Sequence, residues 1–170
     1  VGVASLDYIS GLLNLIGNRK AVREAPEFDH SVALDHVQNV VLRAGALARY
    51  FWPVRKAHRP RGARLIAAFN VQDDSPLANV ELRHAAEHFD ERLDNYLSKG
   101  VVGVILPEWF GRTHHAQVPT HYFRAFFIDS GIFRVLDQEI AMQPVVDELV
   151  RLHNLLVAYD EQGGRLPLGA

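Results

Sequence analysis

The hydrophobic pattern of this 170-residue chain changes from a helical to a strand period at Gly100, and that change constrains the fold most. Before Gly100, apolar residues recur every three or four positions, which predicts amphipathic helices. After it, the β-branched run at 101–106 predicts a strand. Two further apolar stretches, 122–128 and 132–136, flank Asp129-Ser130-Gly131, where a glycine able to adopt positive φ predicts a hairpin turn.

Helices are therefore predicted to dominate residues 6–99. The first covers about 6–16, and the second covers 31–51 and is closed by Pro53. A basic connection at 55–62, containing Pro60 and Gly62, leads to a third helix.

The fourth predicted helix, residues 76–99, is the best marked. Ser75 is suited to its N-cap, Pro76 to its first position, and Gly100 to its C-terminal stop. Its predicted buried stripe consists of Leu82, Ala86, Phe89, Leu93 and Tyr96.

The rest of the chain completes one predicted domain, residues 1–162. It contains a β-element at 101–142, with a loop at 107–119, and a C-terminal helix at 144–160 that Pro144 opens. Residues 163–170 are predicted to be a disordered tail. The predicted fold class is mainly α (α+β): a helical bundle with a small antiparallel β-hairpin element and a C-terminal helix.

Composition restricts the class of protein. The chain has no cysteine, which excludes disulfides and zinc–thiolate sites, and no run of about 18 apolar residues that would span a membrane. Cytoplasmic localisation is the expectation.

The net charge is −2, yet residues 36–72 contain no acid and seven basic side chains. This stretch is either an anion-binding face or the partner of an acidic element. Its predicted RNA-binding residues are Arg55, Lys56, Arg59, Arg61 and Arg64.

Arg83, His84 and His88 form the constellation with the most specific chemistry. At ~100° per residue, His84 and His88 lie about 40° apart on the predicted helix, while Arg83 lies about 140° from His88. One helix cannot easily aim both Arg83 and His88 at one phosphate. Two copies packed face to face could do so, because the arginine of one would approach the histidine of the other.

This Arg-polar-x3-His segment resembles the signature of HEPN domains, all-helical bundles found in prokaryotic toxins, defence systems and RNA-processing proteins. The resemblance covers residues 6–99 and implies a dimeric, metal-independent endoribonuclease without a cofactor. In such an enzyme the RNA 2′-hydroxyl attacks the adjacent phosphate. The implied roles are general acid/base for His88, phosphate stabilisation for Arg83 and orientation for His84.

Other interpretations remain open. The motif helix could be an ordinary solvated face, or His84 and His88 could bind a metal with Glu81 or Glu91. A second candidate metal cluster lies near the predicted loop and comprises Glu108, His114, His115 and His121. The competing function is a non-catalytic helical protein that binds a protein partner in a defence or toxin–antitoxin system.

Overall fold

The computed structural model describes residues 29–84, 89–113 and 117–164, without the side chains of Arg83 and His84. The described helices are α1 (His30–Phe51), α2 (Arg59–Ala68), α3 (Val80–His84), α4 (Phe89–Ser98) and α5 (Met142–Glu161). The strands are β1 (Val104–Gly111), β2 (Thr120–Phe127), β3 (Ile132–Val135) and β4 (Gln138–Ala141). The predicted helix at 6–16 and the predicted tail from 165 onward lie outside these residues.

The prediction of a helical bundle with a small hairpin is wrong, because the fold is α+β with a four-stranded mixed sheet. The strand order is β1-β2-β3-β4; β1 is parallel to β2, and the other two pairs are antiparallel. Pro107 made residues 107–111 resemble a loop, yet they continue β1. A proline is tolerated there because β1 is an edge strand, where the N–H of one side is not needed. β4 has four residues, too few to show an alternating pattern.

The hairpin turn is where the sequence predicts it. Gly131 has φ 65°, and its N–H donates to the Phe127 carbonyl oxygen at 2.8 Å. The turn joins β2 to β3, whose register places Phe126 opposite Phe133.

Helix α1 confirms the second predicted helix to within a residue. Its N-cap is Asp29, whose carboxylate accepts hydrogen bonds from the N–H groups of Ser31 and Val32 at 2.9 and 3.2 Å. The helix ends at Phe51, two residues before Pro53. Its buried stripe includes Leu34, Val37, Val40, Val41, Ala44 and Ala48.

The predicted basic connection at 55–62 is wrong in its second half. Residues 56–58 form a 3-10 turn, and α2 begins at Arg59 with Pro60 in its first turn, where the missing N–H costs nothing. Gly62 is buried against the end of α1: a Cβ here would overlap the Phe51 carbonyl oxygen and lie 2.8 Å from Pro53 Cδ. A glycine is therefore required for α2 to approach α1 this closely.

The fourth predicted helix begins at Val80 and not at Pro76. Ser75 caps only a 3-10 turn at Pro76–Ala78, through a hydrogen bond from the Leu77 N–H to its Oγ. Asn79 is extended, and its side-chain oxygen accepts from the Glu81 N–H at 2.9 Å. This local hydrogen bond replaces helical backbone pairing and restarts the chain as α3. Residues 85–88 lie outside the described part of the chain; α4 then ends near Gly100, which has φ 76° as expected of a stop.

The main core lies between the helices and one face of the sheet, here called the inner face. Phe126, Phe133, Val135 and Ile140 contribute from the strands and belong to the same buried cluster as residues of α1 and α5. The opposite face holds a smaller buried cluster of Tyr122, Ala125 and Phe127. No described helix is both long and apolar enough to cross a membrane.

Candidate functional site

The motif residues are described only in part. Arg83 and His84 are the last two residues of α3, and Leu82 beside them is 1% exposed in the main core, where α3 packs on α1. His88 lies outside the described residues, as do His114 and His115 of the second cluster. The predicted convergence of Arg83 and His88 across two copies therefore remains a prediction.

The five predicted RNA-binding side chains are all exposed, as the sequence predicts. They are Arg55 and Lys56, at the start of the 3-10 turn, and Arg59, Arg61 and Arg64 of α2. Within the described part of the chain, no carboxylate forms an ion pair with any of them. The charges of these five residues are thus available to an external anion.

An aromatic side chain adjoins these charges. Tyr50, near the end of α1, is 57% exposed, and the guanidinium of Arg61 lies 5.6 Å from its ring centre. A shallow groove beside it is lined by Trp52, Val54 and Arg59. We call the five basic residues together with Tyr50 the basic surface. Cations beside an exposed aromatic ring are typical of surfaces that bind single-stranded nucleic acid.

A second polar group lies where the N-terminal half of α1 crosses β1 and β2. The guanidinium of Arg124 donates to Asp35 at 2.5 Å, to Gln38 at 2.8 Å and to Glu108. The other oxygen of Glu108 accepts from the Ser31 hydroxyl at 2.6 Å.

Local geometry explains this group. Ser31, Asp35 and Gln38 share one face of α1 because they are spaced by four and three residues. Glu108 and Arg124 are register partners on the parallel strands, on the inner face. The group thus ties the helix to the sheet, and we call the space above it the Arg124 cleft.

The hydrogen bonds of this group change the pKa of Glu108. The Ser31 hydroxyl, followed by the Arg124 guanidinium, lowers the pKa of Glu108 because both donate to its charged form. A lowered pKa means that the carboxylate contributes stability above its unfolded-state value of about 4.3. That contribution is lost as the pH falls through the lower, folded-state pKa.

We therefore expect Glu108→Gln to reduce the free energy of unfolding at pH 7 by about 0.5–1 kcal/mol, a small value because the side chain is 41% exposed. The deficit should shrink progressively below about pH 4. Urea unfolding of both proteins at pH 7 and pH 3 measures it. Glu161→Gln is the control, since Glu161 is exposed at the end of α5. A deficit of the same size at both pH values would contradict the assignment.

His121 has a structural partner on each ring nitrogen. Its Nε2 lies 3.1 Å from the Val102 carbonyl oxygen, which can only accept, so Nδ1 accepts from the Tyr96 hydroxyl at 2.6 Å. Burial, then the charge of Asp137, raises the pKa of Tyr96. His121 thus links β2 to α4. Glu108, the other described residue of the second candidate metal cluster, is hydrogen-bonded to Arg124. Among the described residues, no three His, Asp or Glu side chains are grouped to hold a metal.

No family model, no curated protein and no solved structure matches the chain.

Sequence reasoning missed the Arg124 cleft. It considered Glu108 only as a metal ligand and gave no role to Arg124, Asp35 or Gln38. The available signal was the helical spacing of Ser31, Asp35 and Gln38, which gives the otherwise apolar inward side of α1 a polar edge.

Proposed function

We propose that this protein binds RNA and cleaves it as a metal-independent endoribonuclease of the HEPN type. The observation that supports RNA binding is the basic surface, where five exposed cations lie without a described carboxylate partner. The support for cleavage is the sequence motif of Arg83, His84 and His88.

The chemistry follows from these side chains. An imidazole such as His88 can take a proton from the 2′-hydroxyl and return one to the leaving oxygen near neutral pH. The planar guanidinium of Arg83 can hold the phosphate and stabilise the extra negative charge of the pentacovalent transition state. The products are a 2′,3′-cyclic phosphate and a 5′-hydroxyl.

The Arg124 cleft and the basic surface both include residues of α1. Phe89, the residue after His88, lines the Arg124 cleft with Gln38 in the N-terminal half of α1. Tyr50 of the basic surface lies further along the same helix, about 18 Å away at ~1.5 Å per residue. The proposal is that one RNA strand follows α1 and contacts both the Arg124 cleft and the basic surface.

The active form is proposed to be a homodimer, because on the continuous helix that the sequence predicts the spacing would set Arg83 and His88 about 140° apart. Each site would combine the arginine of one copy with the histidine of the other. A species that stays monomeric at micromolar concentration by light scattering would argue against this composite site.

The test is incubation of the purified protein with a mixed-sequence RNA in excess chelator. We expect cleavage to persist and the upstream fragments to end in cyclic phosphate. Cleavage that requires a divalent ion would contradict the proposal and favour a metal bound by His84 and His88.

One observation favours the competing function. Helix α4 contains no buried residue, and its apolar side chains Phe89 and Leu97 are 39% and 41% exposed. The same helix exposes Asp90, Glu91 and Asp94. Such a helix could contact a protein partner, and absence of cleavage together with a stable protein complex would favour this role.

A further inference from the structure

The Arg124 cleft is a cavity of about 280 Å³ between α1, the inner face of the sheet and the start of α4. Its lining combines apolar walls with polar groups at one edge. Its lining includes Gln38, Phe89, Pro107, Glu108, Phe123 and Arg124.

The walls suit a flat, neutral, aromatic ligand. Phe89 and Phe123 offer rings from two different elements, and Pro107 of β1 adds a further apolar surface. Phe89 is 39% exposed although it is a large hydrophobic residue, so its ring is accessible to an incoming group. Stacking on aromatic side chains is the main way in which proteins hold unpaired bases.

The polar edge offers both donors and acceptors. A guanidinium has five N–H donors, and the Arg124 bonds to Asp35, Gln38 and Glu108 use three of them, which leaves two within the described residues. Each oxygen of Glu108 accepts one described bond and retains further acceptor capacity. The amide nitrogen of Gln38 has no described partner.

The charge of the cleft argues against a phosphate as its ligand. One arginine faces two carboxylates, Asp35 and Glu108, so the group has a net negative charge that repels anions. A neutral ligand with both hydrogen-bond donors and acceptors fits this edge better.

We propose that the Arg124 cleft binds a guanine base. Guanine presents the O6 and N7 acceptors to which arginine donates, and its N1–H and N2 amino group can donate to the Glu108 carboxylate. Adenine lacks the O6 acceptor, and the pyrimidines offer less surface to the two rings. This inference deepens the proposed function and rests on it, because Phe89 of the cleft directly follows His88 of the motif in the sequence.

The experiment uses the full chain and two sources of the base. Binding of GMP, AMP and CMP is measured by calorimetry, and binding of a short RNA containing one guanosine is compared with the same RNA containing inosine. Phe89→Ala is the test variant. Leu97→Ala is its matched control, since Leu97 is similarly exposed on the same helix but does not line the cleft.

We expect GMP to bind more tightly than AMP and CMP, and Phe89→Ala to weaken GMP binding by about fivefold or more. Leu97→Ala should leave it unchanged, and inosine should weaken RNA binding because it lacks the N2 amino group. If the protein prefers guanosine in RNA but does not bind GMP, the cleft is a subsite for a base of RNA. If it also binds GMP, the cleft takes the free nucleotide as well.

Equal affinity for all bases, or equal loss in both variants, would overturn the proposal. Glu108→Gln supplies a second readout: it should selectively reduce guanine preference while circular dichroism shows the fold retained. These binding measurements need no cleavage, so guanine binding by an inactive protein would refute the proposed function and leave this inference standing.

Discussion

Replacing His88 with alanine is expected to lower the rate of RNA cleavage by about 10²- to 10⁴-fold, the usual contribution of a general acid/base. Affinity for RNA should change little, because the proposed role of the imidazole is proton transfer and that of the basic surface is binding. Single-turnover cleavage measured with saturating protein, beside filter binding of the same RNA, separates the two quantities.

The matched control is His153→Ala, which removes an exposed histidine from α5. It should cleave at the wild-type rate, and its thermal unfolding should stay near that of the wild type because surface substitutions usually cost under about 0.5 kcal/mol. Circular dichroism of His88→Ala checks that this variant keeps its fold. Wild-type activity in His88→Ala would refute the assignment of the motif.

Removal of the positive charges of the basic surface is expected to have the second largest effect. If Arg55, Lys56, Arg59, Arg61 and Arg64 each neutralise one phosphate, changing all five to glutamine should reduce the salt slope of log affinity by about 3.5, at ~0.7 per contact on single-stranded RNA. The affinity itself should fall most at low salt, where counterion release contributes most.

A two-charge comparison makes this result specific. Arg59→Gln with Arg61→Gln should lower the slope by about 1.4. The pair Lys99→Gln with Arg112→Gln removes the same charge from elsewhere on the chain and should leave the slope nearly unchanged. Equal changes in both pairs would indicate that only net charge matters, and a salt-independent affinity would exclude phosphate binding by this surface.

The sequence predicted local structure where one segment supplies its own signals. Asp29 caps α1, and Gly131 adopts the positive φ that the hairpin needs, so both elements are near their predicted positions. Predictions failed where a residue type suits two structures. Pro107 lies within an edge strand because its neighbour β2 pairs with it on one side only. Pro76 opens only a 3-10 turn, because the Asn79 side chain makes the next helix begin at Val80.

The basic surface could be predicted from the sequence, whereas the Arg124 cleft could not. The basic surface follows from composition alone, since five cations with no nearby acid in the chain must find solvent or an anion. The Arg124 cleft depends on the parallel pairing of β1 with β2, which brings Glu108 beside Arg124. No local pattern specifies that pairing, because its two strands meet through tertiary structure.

The Arg124 cleft is assembled from parts of the chain that are far apart in sequence: its Ser31–Glu108 and Asp35–Arg124 bonds close loops of 77 and 89 residues. Contacts between residues so far apart in sequence form only after the entropic cost of closing such long loops has been met. A partly folded chain with a formed hairpin and an undocked α1 would therefore lack the cleft. A ligand that occupies the cleft therefore binds only the fully folded chain. The occupancy of the cleft and the melting temperature of the protein should then rise together as the ligand concentration increases.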